Sequence, residues 1–147
     1  MKAENMMQLE FLSKSSNEGF ARVAVASFAS QLDPTLEEIN DIKTAVSEAV
    51  TNAIVHAYPN TIGKIRIRAR IYEDRILELR IQDWGVGIAD VDKAREPMFT
   101  TGGEERSGMG FTIMESFMDA LRVRSTPGKG TTVTMKRRIA PRGDELR

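Results

Sequence analysis

Residues 64–83, KIRIRARIYEDRILELRIQD, constrain the fold more than any other stretch. Ile65, Ile67, Ala69 and Ile71, then Leu77, Leu79 and Ile81, alternate with other residues on either side of Glu73-Asp74-Arg75. Successive side chains of a strand point to opposite faces, so this alternation predicts an antiparallel hairpin with one buried face. Something apolar must lie across that face.

The flanking segments supply candidates. Asn17 to Leu32 reads as a helix, with Phe20, Val23, Ala24, Phe28 and Leu32 on its apolar stripe. "LDP" marks a second start, with Asp33 as N-cap and Pro34 in the first helical position. That helix is expected to run to about Ala57, where "YPNTIG" breaks it. Its Ile39, Ile42, Val46, Ala49, Val50 and Ala53 fall on one arc at about 100° per residue. Gln8 to Leu12 reads as a short strand, and "MGFTIMESFMDAL" as a helical stripe. "LRVRSTPGKGTTVTMKRR" reads as a second hairpin around a Pro-Gly turn. This order predicts an α+β fold: a two-layer sandwich of a mostly antiparallel mixed sheet with helices on one face. One domain over residues 1–147 is expected, with 139–147 as a frayed tail.

Charge and composition exclude several functions. Lys+Arg and Asp+Glu both total 21, a formal net charge of zero, which disfavours nucleic acid as a direct partner. There is no cysteine, hence no disulfide framework and no thiolate chemistry. No stretch approaches the roughly 18 apolar residues of a membrane span, and no secretory signal is visible. The expectation is a cytoplasmic protein with no membrane partner. Arg66, Arg68, Arg70, Arg122 and Arg124 alternate with apolar residues and are expected to solvate the open face of the sheet.

Three short motifs carry the candidate chemistry. In "SEAVTNAIVHAY", Glu48 and Asn52 lie four residues apart, so they stack on one side of the second helix, off the centre of its apolar arc. Such pairs are common on solvated helix surfaces, but Ala45 and Val55 bracket this one. In "QDWGVGI", Asp83 ends a buried strand and could accept a directed hydrogen bond from an amino group. Gly85 and Gly87 would let the backbone approach a flat ligand or take positive φ. A plain capped turn is the alternative. In "RSGMGFTIME", Gly108 and Gly110 open a helix whose free N–H groups could meet an anion, with Arg106 and Ser107 beside them. The spacing is neither a dinucleotide fingerprint nor a Walker motif.

The order of the three motifs is more specific than any one. E-x-x-x-N on a helix, D-x-G-x-G after a strand, then a Thr/Gly/Glu-rich loop into G-x-G resembles the GHKL ATP-binding domains over roughly Lys43 to Met135. Gyrase, histidine kinases and mismatch-repair ATPases belong to that group. "LDPTLEEINDIKTAVSEAVTNAIVHAY", "PMFTT" and "ERSGMGFTIMESFMD" resemble more closely the anti-sigma F factor family of endospore-forming bacteria, small serine protein kinases.

The resemblance implies ATP or ADP with Mg2+ as cofactors. It implies that Asn52 binds Mg2+ together with the ATP phosphates and that Glu48 is the general base. It implies that Asp83 receives the adenine amino group, with Gly85 and Gly87 shaping the purine pocket and Thr132 near the adenine. Ala53, His56, Thr101, Arg106, Ser107, Gly108, Met109, Gly110 and Phe111 would complete the nucleotide contacts, and Pro97 to Ser107 would form a lid. By the same resemblance the chain would be a homodimer. It would sequester a sporulation sigma factor when ATP is bound and phosphorylate an anti-anti-sigma protein on serine. Two alternatives are an ATP-gated sequestering protein without transfer, and a stress-response switch kinase acting on another sigma factor.

Overall fold

The computed structural model describes residues 2–96 and 110–141. Five strands form one sheet: β1 (Asn5–Leu12), β2 (Lys64–Tyr72), β3 (Ile76–Asp83), β4 (Ala120–Thr126) and β5 (Gly130–Arg138). Their spatial order is β1-β2-β3-β5-β4. Every pairing among the described residues is antiparallel, in line with the mostly antiparallel sheet expected. Helices α1 (Asn17–Ala29), α2 (Leu36–Asn52) and α4 (Gly110–Phe117) supply the second layer. A single turn, α3 (Val91–Ala94), follows β3.

The predicted hairpin is β2–β3, and its alternation decides where the core sits. Ile65, Ile67, Ala69, Leu77, Leu79 and Ile81 are buried, and so are Ile42, Val46 and Val50 of α2 and Met114 of α4. Asp74 and Arg75 make the turn with positive φ, which few non-glycine residues adopt. Arg75 holds that turn by donating from Nε to the carbonyl of Ile139 at 2.9 Å and from its terminal nitrogen to the carbonyl of Leu32.

Three expectations need correction. The buried stripe of α1 is Ala21, Val25 and Ala29, continued by Leu32, whereas Phe20 and Val23 are exposed. Small residues at i, i+4 and i+8 suit the face that packs closely on α2. Phe20 instead meets Phe11 of β1 edge-on, with ring centres 6.4 Å apart. The N-cap of α2 is Thr35, not Asp33: Thr35 Oγ1 accepts from the Glu38 N–H while Glu38 Oε1 accepts from the Thr35 N–H, a capping box. Asp33 has a left-handed backbone just before it. Fraying does not begin at residue 139. Ile139 is fully buried, and the N–H of Ala140 donates to Glu38 Oε2 at 3.1 Å.

Burial opposes the charge on Glu38. The N–H bonds from Thr35 and Ala140, with Arg137 nearby, nonetheless hold its carboxyl below the usual carboxylate range. One side chain therefore ties the start of α2 to the end of β5.

Candidate functional site

Between α2, the β3–α3 loop, the first turn of α4 and the inward face of β5 lies a cavity of about 360 Å³. Its walls are mainly apolar: Ala49, Ala53, Ile81, Ile88, Ala94, Phe111 and Val133 contribute. Among the described residues polar groups converge from a few positions, namely Asn52, His56, Asp83, Asp90 and Thr131. An apolar slot with few directed polar groups is the usual make-up of a small-molecule site.

Asp83 is the main directional group. It ends β3 and is buried, with its Oδ1 accepting from the N–H of Gly85 at 3.0 Å and of Thr131 at 3.2 Å. Both bonds go to one oxygen, so Oδ2 keeps its lone pairs for a donor in the cavity. Burial raises the Asp83 carboxyl above the usual carboxylate range, and the two N–H bonds partly offset that shift. The orientation is fixed before any ligand arrives.

The wall opposite is the end of α2. After Asn52 the helix widens into a π-turn, Ala53–Ala57, bringing Ala53, His56 and Ala57 to the cavity. Single π-turns inside helices recur at functional sites. Here the carbonyl of Ala57 accepts from the N–H of Val86 at 2.9 Å, so the widened turn is bonded to the β3–α3 loop. Gly85 makes that contact possible. A Cβ there would sit 2.1 Å from the Ala57 carbonyl oxygen.

Asn52 faces the start of α4. A Cβ on Gly110 would come within 2.9 Å of both amide atoms of Asn52, so glycine is what lets the helix N-terminus reach this amide. The first turn of α4 and the Asn52 amide thus present donors and an acceptor side by side.

The structure places Asn52, Ala53, His56, Asp83, Gly87, Gly110 and Phe111 around the cavity. Gly87 has φ +78°, the positive value anticipated for it. Gly85 braces the loop against α2 and does not line the cavity. Glu48 lies half-buried one turn earlier on α2, outside the cavity lining among the described residues. Thr101, Arg106, Ser107, Gly108 and Met109 lie outside the described residues.

Thr132 is a correction. It stands on the opposite face of the sheet, with Arg80, Arg122 and Arg124, and Thr131 occupies the inward position. Strand side chains alternate, so a one-residue difference transfers a residue to the other side. The register pairs Asp83 with Thr131, and this decides which threonine sees the cavity. Trp84 also points away: it is 40% exposed, with Lys64 Nζ 4.7 Å and Arg66 Cζ 5.1 Å from its ring centre.

The chain matches the histidine kinase-like ATPase domain family over residues 13–137. It is 63% identical over 140 residues to the anti-sigma F factor of Caldanaerobacter subterraneus subsp. tengcongensis, covering 95% of this chain and 97% of that one. Against the anti-sigma F factor of Clostridium acetobutylicum the identity is 59% over 138 residues, covering 93% and 96%. The chain belongs to the anti-sigma F factor family.

Solved structures agree on the fold of this family member. The RsbU and RsbW domains of a Mycobacterium tuberculosis protein superpose with TM-score 0.66 at 19% identity, over 92% of this chain and 32% of that one. The mycobacterial sensor histidine kinase MprB gives 0.58 at 18% identity, over 92% of this chain and all of that domain. A histidine kinase-like ATPase domain implies nucleotide binding. Among the described residues no helix is long and apolar enough to cross a membrane.

Sequence reasoning missed Ile81, Ile88, Ala94, Asp90, Thr131 and Val133 as cavity residues. Ile81, Thr131 and Val133 had a usable signal, since each lies an even number of positions from Asp83 or its cross-strand partner. Ile88 and Asp90 come from the irregular loop after β3 and Ala94 from the single turn of α3, both too short to show a periodicity.

Proposed function

We propose that this chain is an ATP-dependent anti-sigma factor and protein-serine kinase. It sequesters a sporulation sigma factor while ATP is bound and phosphorylates an anti-anti-sigma protein on serine. The observation that carries the reading is the preset carboxylate of Asp83 in an apolar slot that it shares with the Asn52 amide at the end of α2, which faces the start of α4. A purine amino group would donate to Asp83, the ring would lie against Ile81, Val133 and Phe111, and the phosphates would extend toward Asn52 and the N–H groups of α4.

The donor set fits magnesium in one particular way. Among the described residues no cluster of three or more His, Asp or Glu side chains could hold a metal ion. Magnesium held mainly by phosphate oxygens and water needs few protein ligands, and Asn52 supplies one amide oxygen beside the phosphate end of the cavity. When bound, the ion would neutralise charge on the triphosphate.

Glu48 lies one turn of α2 from Asn52, at the edge of this region. In the proposed kinase it accepts the proton of the attacking serine hydroxyl, whose oxygen forms the new P–O bond as the bond from the γ-phosphorus to the bridging oxygen breaks. Two copies of the chain acting as a homodimer are part of the proposal.

The test is transfer of label from γ-labelled ATP, with magnesium, to a candidate anti-anti-sigma protein from the same genome. Acid-stable label on serine, absent with Glu48→Gln while nucleotide binding persists, is the expected result. ATP binding with no transfer by wild type would replace the kinase with a nucleotide-gated sequestering protein.

A further inference from the structure

The face of the sheet opposite the helices carries a charge arrangement that the nucleotide cavity does not use. Register sets Arg68 of β2 opposite Arg80 of β3, Arg80 opposite Thr134 of β5, and Thr134 opposite Arg122 of β4. The neighbouring row runs Arg66, Gln82, Thr132, Arg124. Like charges directly opposite one another on adjacent strands destabilise the pair.

Toward β1 and along the third row the chain answers these charges. Arg66 donates to Glu10 at 2.6 Å, Arg68 donates to Gln8 at 3.1 Å, and Arg70 and Lys136 lie 3.8 and 3.9 Å from Glu78. Toward β4 no such answer exists among the described residues. Among the described residues Arg80, Arg122 and Arg124 have no carboxylate at ion-pair distance. The Arg80 Nε is buried without a hydrogen-bond acceptor.

Those three arginines, with Gln82, Thr132 and Thr134, line an open depression of about 210 Å³. Each of these side chains can donate a hydrogen bond, and none of the described lining residues is an acid. Folded proteins rarely leave a buried N–H unpaired, so the missing element is an acceptor with negative charge. Guanidinium forks match the oxygens of phosphate and carboxylate. A carboxylate offers two oxygens for three arginines, whereas a phosphate group offers more oxygens and a charge near −2. We propose that the depression lined by Arg80, Arg122 and Arg124 on the open face of the sheet binds a phosphate group.

The phosphate could be a free anion or the side chain of a phosphoserine, and one experiment separates the two. Isotopically labelled full-length chain is titrated with inorganic phosphate, and separately with a phosphoserine peptide, at constant ionic strength made up with chloride. Saturable amide shifts at Arg80, Arg122, Thr132 and Thr134 are expected. The double variant Arg122→Gln/Arg124→Gln should weaken binding by about tenfold or more. Arg66→Gln, which removes an arginine already paired with Glu10, should alter it by less than about twofold. Tighter binding of the peptide would make a phosphoprotein the source, and equal binding a free anion. Both arginines of the double variant are exposed, and a phosphate-dependent rise in Tm seen only in wild type gives a second reading. Shifts that never saturate, shifts that chloride reproduces, or wild-type affinity in the double variant would overturn the proposal.

Discussion

The two faces of β5 show how one strand serves two environments. Thr131, Val133 and Met135 are buried against the helical layer, while Thr132, Thr134 and Lys136 lie on the open face. Thr131 and Thr132 are the same residue type one position apart. The Thr131 N–H fixes the Asp83 carboxylate, and its hydroxyl lies 2.8 Å from that of Ser125. Thr132 stands among arginines in a polar depression. What a threonine does here follows from the face it occupies, and its own chemistry is secondary.

The contrast can be broken most forcefully at Leu79, which is fully buried on the inward face. Leu79→Ala should lower the free energy of unfolding by about 2–5 kcal/mol, measured by urea denaturation. A cost under about 1 kcal/mol would mean that the inward face is not the well-packed side.

Asp83→Asn separates site from stability. Loss of the charged acceptor should weaken nucleotide binding by roughly tenfold to a hundredfold, read by calorimetry. Stability should not fall in parallel, because burial already raises the pKa of this carboxyl. The sign follows from proton binding. The folded chain holds the Asp83 proton more tightly than the unfolded chain, so the cost of the buried carboxylate is complete above the folded pKa. That cost is relieved as pH falls toward the ordinary carboxylate range. The variant should therefore gain most on wild type near neutral pH and lose the gain in acid. A stability difference that grows as pH falls would contradict the assignment.

Thr131→Val should cost about 1 kcal/mol and loosen nucleotide binding. The Ser125 hydroxyl that Thr131 meets also accepts the N–H of Ile88, a cavity residue. Thr132→Val is the smallest effect: nucleotide affinity should stay within about twofold, since surface changes away from a site rarely exceed about 0.5 kcal/mol. Equal effects of the two substitutions on nucleotide affinity would mean that the register assignment is wrong.

Much of this was legible before any coordinates. The β2–β3 alternation named its own inward residues, and Ile42, Val46 and Val50 were readable from helical spacing. Asp83, Asn52 and Gly110 stood out because motifs place a polar or flexible residue where an apolar or ordinary one would be expected. The cap of α2 was also present, as Thr35 and Glu38 three apart, but the stronger-looking Asp33-Pro34 obscured it. The stripe of α1 was misjudged for a different reason. Large apolar residues draw attention, yet a close helix–helix contact is built from small ones, and Phe20 gained its contact with Phe11 from another element.

By itself the sequence determined the order and type of the five strands and of α1, α2 and α4, the inward ladder of the central hairpin and the three motifs, because each depends on spacing within one segment. Tertiary structure alone decided that Thr131 sees the cavity and Thr132 does not. It also decided that Trp84 faces Lys64 and Arg66, and that α2 widens at Ala53–Ala57 with its last carbonyl bonded to Val86. Each of these depends on register or on a contact between segments far apart in the chain. Local periodicity carries no information about which partner a strand or a carbonyl will meet.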